Sequence, residues 1–393
     1  MSDRIMKSFG ATTSRPCHRW AAFGLMLALA GGSLPVAAQE NGEYGADADN
    51  PMPAEMMPRA PYELLLDVEN TGDGVVAVGA RGHALHSDDG LTWEQGKVPV
   101  RATLTAVDFV DGKHGWAVGH AATIIATEDG GKTWELQNYE PELEQPFLDV
   151  LFFDRERGLA IGAYDMFYKT EDGGETWTEY EPTLSMGEWH LNAITRLDDG
   201  TLVIAGETGL LSKSTDGGET WQLIEGPYSG TYFGVEQLGP RGLLLYGLRG
   251  HAFVIDDIAK AAELPADTDL GYKFKTPPTM SSGGGETSTA EDKEAAKAEA
   301  ERQQAEARAQ ESAWQVVDNA PSVLSLFGGT TLAGGGYVLV GVNGVIWESR
   351  DRGPDVEPLA NTREGSLSDV TELDNGDLVF VGDNGAFLYR RAD

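Results

Sequence analysis

Cysteine is almost absent: the 393 residues contain one, Cys17. A disulfide framework is therefore excluded, and with it a zinc site built on thiolates. Cationic side chains are scarce too, with 29 Lys and Arg against 63 Asp and Glu and a formal charge of −34. A field of that sign repels phosphate backbones and anionic lipid, which argues against nucleic acid as a partner and against direct insertion into a membrane. Long apolar runs are also lacking, with one exception near the start. Arg15 and Arg19 precede Ala21–Ala30, and Val36-Ala37-Ala38 offers small residues before Gln39. That succession reads as a secretory signal over residues 1–38, too short for a firm spanning helix. An uncleaved anchor is the alternative for the same segment. Cys17 lies ahead of the apolar run, so it is not placed as a lipid acceptor and leaves with the signal. Cleavage removes four basic residues and one acidic one, taking the charge to −37. The expected compartment is periplasmic.

What is present is a repeat. Thr127-Glu128-Asp129-Gly130-Gly131-Lys132-Thr133-Trp134 returns at 170–177 and again at 214–221, and a copy one residue shorter spans Ser87–Trp93. The tryptophans Trp93, Trp134, Trp177 and Trp221 are therefore 41, 43 and 44 residues apart, a spacing that marks a solenoid or propeller. Each copy sits between two short strand-like runs. Its Asp can accept N–H groups of its own turn, a glycine allows positive φ, and the Trp can pack beneath as a cap. This makes Asp129, Asp172 and Asp216 structural rather than ligand-binding. In the short copy either Asp88 or Asp89 can take the role. Ser349-Arg350-Asp351-Arg352-Gly353 is a decayed copy, and Asp257 keeps only the acid.

Around each turn the same phrase repeats: an alternating run, a polar turn, a second run ending in glycine, and a third run into the box. Those glycines are Gly79, Gly119, Gly162, Gly206, Gly247, Gly341 and Gly382. Seven units of four period-2 strands predict a seven-bladed β-propeller of four-stranded antiparallel blades over residues 62–393. The last unit reaches Asp393 where its box would begin. The N-terminal segment 39–61 is the natural donor of the closing strand, although its prolines suit only an edge. Residues 265–312 form a low-complexity insertion in blade five, first Pro/Gly/Ser-rich and then rich in helix formers with few apolar residues. Any helix there is expected to be solvated all round. Trp314 returns as the cap of that blade.

A partner would meet the face opposite the Asp boxes, built from the turns between second and third strands. Arg-Gly-His-Ala occurs there twice, in blades one and five. The expected recognition patch for carboxylate groups is Arg81, His83, His120, Arg249 and His251, with Trp189 and His190 beside it. His83, His120 and His251 come from separate blades without ligand spacing, so no metal and no cofactor are expected.

The boxes resemble the Asp-box, or BNR, repeat. That repeat also occurs in sialidases, so a sialidase-like glycoside hydrolase is the alternative function. Such chemistry, as the resemblance implies it, needs three arginines and a Tyr/Glu pair, and neither stands out here. Gly115-Trp116-Ala117-Val118-Gly119 followed by the box is similar to the photosystem II assembly and stability factor propellers and their relatives in non-photosynthetic bacteria. That resemblance implies a non-catalytic module holding a membrane-protein client through an arginine-bearing surface, with Arg81 and Arg249 as the matching positions. It also makes an RND-type exporter, or another envelope complex, the expected client.

Overall fold

The computed structural model describes residues 51–180, 189–268, 312–317, 324–361 and 363–391, together with Leu270, Ala300 and the helical residues 302–309. The signal and its cleavage site lie outside those residues, as does the Pro/Gly/Ser-rich part of the insertion. Within them the chain is a seven-bladed β-propeller, with six blades of four antiparallel strands and a seventh of three. The inner strands follow one another round the axis: Leu65–Asn70, Leu104–Phe109, Phe147–Phe152, Leu191–Arg196, Tyr232–Gln237, Leu326–Thr331 and Leu367–Glu372. The seventh packs directly on the first, closing the ring.

The second strand of every blade is buried along its whole length, as in Val75–Gly79 and Leu378–Gly382. This is the strand with a neighbouring blade against each face, so both of its faces are apolar. Its terminal glycine has a steric cause. Every inner strand shifts register next to that glycine, and a Cβ there would collide with an inner-strand carbonyl, that of Leu64 at Gly79 or Thr103 at Gly119. A β-bulge thus explains the recurring Val-Gly phrase.

The core is divided among the seven seams between blades, each with its own buried cluster. Between blades one and two, Val76, Val78, Val98 and Val100 meet Leu104, Ile125 and Trp134. The box tryptophan is part of that contact. Trp134 and Trp221 are 5% and 8% exposed, and each indole N–H donates back to its own turn, to Gly131 and Gly218 oxygens at 3.0 and 3.1 Å.

Two expectations about exceptional segments need correction. Of the expected closing segment 39–61, residues 39–50 lie outside the described residues, and residues 51–61 do not add a strand to blade seven. The Ala54 N–H donates to the Val98 oxygen, the Gln95 amide brackets Glu55 and Met57, and Arg101 reaches the Pro53 oxygen, so the segment follows blade one. Its prolines leave few N–H groups for a ladder, whereas side chains of blade one supply single bonds. The insertion helix is not solvated all round. Ala305 and Ala309, four residues apart and so on one side of the helix, are 2% and 5% exposed in the seam cluster of blades four and five. Ahead of the helix, the Glu225 N–H donates to the Ala262 oxygen and the Leu264 N–H to the Leu223 oxygen, extending the outer edge of blade four. Trp314 is 3% exposed and its N–H donates to the Glu225 oxygen, the cap position expected for blade five.

Candidate partner-binding face and the acidic channel

The turns between second and third strands stand on the face opposite the Asp boxes, and their tips are strained. Arg81, Tyr164, Thr208, Arg249 and Asn343 all have φ between 52° and 60°, a left-handed conformation that costs a non-glycine residue roughly 1 kcal/mol or more. The following glycine or cap donates back to close each turn, as the His83 N–H does to the Ala80 oxygen. The tip side chain is left projecting. Arg81 is exposed, and so is His120 in the corresponding turn of blade two. Arg249 is half-buried, with its N–H on the Ser325 hydroxyl at 3.2 Å.

The two Arg-Gly-His turns therefore divide in two. Arg81 is exposed and Arg249 half-buried, while both histidines are buried. His83 is 0% exposed and neither ring nitrogen has a partner; His251 is 7% exposed and lies 4.1 Å from the Tyr228 ring. Burial lowers the pKa of both, that of His251 to about 4. Both are neutral core residues at neutral pH and are removed from the recognition patch. The cause is register: the same position in other blades holds Thr123, Met166, Leu210 and Val345, and Thr123 is itself fully buried. Trp189 and His190 are half-buried on the intended face. His190 makes an edge contact with Tyr164 at 4.8 Å and approaches Glu207 at 3.6 Å. Tyr164, 53% exposed, is a face residue that the sequence reading did not select.

Arg81 and Arg249 belong to blades one and five, nearly opposite across the ring. The structure thus does not gather one compact arginine cluster. It sets a cation on each side of the face, with Tyr164 and His190 in the arc between them.

At the other rim the boxes satisfy themselves. Asp129 Oδ1 accepts the N–H groups of Lys132 and Thr133 at 3.0 and 2.8 Å, and its Oδ2 accepts the Thr133 hydroxyl at 2.6 Å. Asp172 and Asp216 repeat the arrangement. Hydrogen bonds from the Thr176 and Thr220 side chains, then from backbone, hold both carboxyls below the usual range, Asp216 at about 2. In the short copy the residue in this role is Asp89, not Asp88: Asp89 accepts from Leu91 and Thr92 at 2.9 and 2.8 Å. Asp89 keeps the two-residue offset from Ser87, so the missing residue falls on the glycine side. The Asp351 carboxylate keeps one bond, from the Gly353 N–H at 2.7 Å. Asp257 has become the N-cap of the turn Ile258–Lys260.

Along the axis the inner strands enclose a cavity of about 350 Å³ whose wall includes Asp67, Glu69, Asp108, Asp149, Glu236 and Asp369. Most of these carboxylates bind the next blade. Asp67 accepts the Val107 N–H at 2.7 Å, Asp108 that of Phe152 at 2.6 Å, Asp149 that of Ile194 at 2.7 Å, and Asp369 that of Val68 at 3.3 Å. An inner strand has no further strand to pair with, and these oxygens take its unpaired donors. Desolvation and mutual repulsion push the group upward, Asp108 to about 7 and Asp149 and Glu236 to about 8. Among the described residues no group of three or more His, Cys, Asp or Glu is arranged to hold a metal ion.

With the blades and both faces in view, the similarities to known proteins fall into place. The model of the family described as "Photosynthesis system II assembly factor YCF48" matches residues 85–145 and 137–257. The photosystem II assembly protein Ycf48 of Thermosynechococcus vestitus is 49% identical over 43 residues, 11% of this chain and 12% of that protein, so only a small part of that relative is matched. The solved structure "YCF48 bound to D1 peptide" superposes with a TM-score of 0.59 at 15% identity, covering 88% of this chain and 96% of the other. A family 74 glycoside hydrolase of Niastella koreensis shares the fold at 13% identity and a TM-score of 0.57 over 84% of this chain and 52% of that one. The chain is an Asp-box β-propeller. Among such propellers it resembles the photosystem II assembly and stability factors.

Proposed function

We propose that this propeller is a non-catalytic, periplasmic binding and assembly module for a membrane-protein client of the cell envelope, an RND-type exporter being the leading candidate. The observation that carries the reading is the pair Arg81 and Arg249, held at strained tips on one face of an otherwise acidic molecule. A strained surface turn that carries a cationic side chain at its tip is a feature of binding surfaces rather than of packing. The opposing guanidiniums suit an acidic segment lying across the face, with Tyr164 and His190 offering aromatic contact along the way. The photosystem II factor solved with a D1 peptide supports a membrane-protein client in kind.

The glycosidase alternative requires carboxylates free to act on a substrate. In the channel Asp67, Asp108, Asp149 and Asp369 are hydrogen-bonded to neighbouring strands, which speaks for a structural role. Aryl-glycosides and sialosides are expected to give no turnover above background. The deciding experiment is capture from solubilised envelope membranes. The mature protein should retain a membrane-protein client and the R81E/R249E variant should lose it. Equal capture by both would overturn the arginine-face reading.

A further inference from the structure

The seam between blades seven and one differs from the other six. The third strand of blade seven, Phe387–Tyr389, is the outermost of its sheet among the described residues, whereas every other third strand carries a fourth. At three other seams the outer strand of one blade, or a residue just beyond it, abuts the cap tryptophan of the next. Gln137 accepts the Trp177 N–H at 3.2 Å, Glu225 accepts that of Trp314 at 3.1 Å, and Gly96 lies against Trp134. The equivalent tryptophan of blade one, Trp93, has a buried indole N–H with no partner. The short box cannot supply its own carbonyl as Gly131 and Gly218 do. A buried unmet donor costs about 1–3 kcal/mol, so it marks a place where an acceptor would be welcome.

The same seam opens into a groove of about 760 Å³ lined on one side by Leu373, Asp374 and Leu388 and on the other by Asp73, Asp88 and Leu91. Its far end is fixed. The Arg391 N–H donates to Asp377 at 3.0 Å, and its guanidinium reaches Glu348 at 2.6 Å and Glu372 at 3.6 Å, pinning the chain beyond Tyr389. At the near end the Ala386 N–H is taken by the Pro61 oxygen. Between these anchors the outer edge of Phe387–Tyr389 pairs with no strand among the described residues.

We propose that this edge is a strand-acceptor site: an extended segment of a partner polypeptide, alternating basic and apolar side chains, pairs with Phe387–Tyr389 as the fourth strand of blade seven. Backbone pairing supplies the affinity, as in other strand additions. On the face turned to blade one its basic side chains meet Asp73, Asp88 and Asp374, and on the opposite face its apolar ones meet Phe387 and Tyr389, which lie with the cluster between blades six and seven. That charge set disfavours residues 39–50 of this chain as the occupant, since they contain Glu40, Glu43, Asp47 and Asp49 and no base. The site is separate from the arginine face and stands whether or not that face binds a client.

The test uses the mature protein with a synthetic nine-residue peptide alternating lysine and valine, and a glutamate–valine counterpart as control. Amide exchange is followed by residue, with light scattering for the oligomeric state. The lysine peptide should slow the outward amides of Phe387–Tyr389 about tenfold or more, and the glutamate peptide should leave them unchanged. D73K/D374K should weaken lysine-peptide binding about tenfold; if that variant melts early, Asp88→Lys replaces it. Four outcomes overturn the proposal: no binding, binding that leaves 387–389 unchanged, amides already protected in the free protein until residues 39–50 are removed, or protection arising only with dimerisation.

Discussion

At the residue scale the molecule holds two kinds of misplaced charge, and they respond to pH in opposite directions. Asp108, Asp149 and Glu236 have pKa values raised on folding, so their contribution to stability is complete below the unfolded value near 4 and is lost as pH climbs through 7–8. His83 and His251 are lowered, so their contribution is present above about 6.5 and is lost as pH falls toward 4. The acids outnumber the histidines, so the melting temperature should decline already from about pH 5 upward, more steeply above pH 6.5, and be about 2–5 °C lower at pH 9 than at pH 6. Glu236→Gln should flatten the alkaline side of a thermal-melt series; an unchanged slope would remove Glu236 as a cause. His83 is the sharper case. With both nitrogens buried and unpartnered, His83→Met should stabilise the protein by about 1 kcal/mol in a denaturant titration, and a loss would mean the ring has a partner such as water.

The element scale shows what could be read from the chain and what could not. The boxes and the Val-Gly phrase were legible because each is a local steric or hydrogen-bond solution that recurs. The burial of His83 and His251 was legible in principle too. Setting the seven third strands in register puts them beside Thr123, Met166, Leu210 and Val345. The channel carboxylates were not, since alternation tells two faces apart but does not say which strand edge turns to the axis. The clue was the bulge: Asp67, Asp149 and Asp369 share the third position of their inner strands, one past the register shift. The insertion helix was misread because two alanines look too small to anchor anything, yet alanine is what permits close approach to blades four and five. Replacing both, A305E/A309E, should free the helix. Limited proteolysis should then cut within 265–312 several-fold faster, while the melting temperature of the propeller shifts by less than about 2 °C. Unaltered cleavage would show that the helix does not hold the insertion down.

At the scale of the whole ring, closure among the described residues is made without a sheet shared between the first and last blades. Asp369 takes the Val68 N–H, and the Asn70 amide donates to the Glu372 oxygen at 2.8 Å. Burial raises the pKa values of both Asp67 and Asp369 at this seam. Asp369→Ala should loosen this seam more than any other, visible as faster amide exchange at Val68 with the Ile194 amide unaffected. Equal change at both would point to a general loss of stability instead.

Blade five holds three strands from before the insertion and a fourth, Gln315–Val316, from after it. A single protease cut in the intervening stretch would leave two pieces clasped like a buckle, each ending inside the same sheet. Such a nicked protein should migrate as one species until denatured, and the two pieces, expressed apart, offer a natural split pair whose reunion reports assembly of the ring.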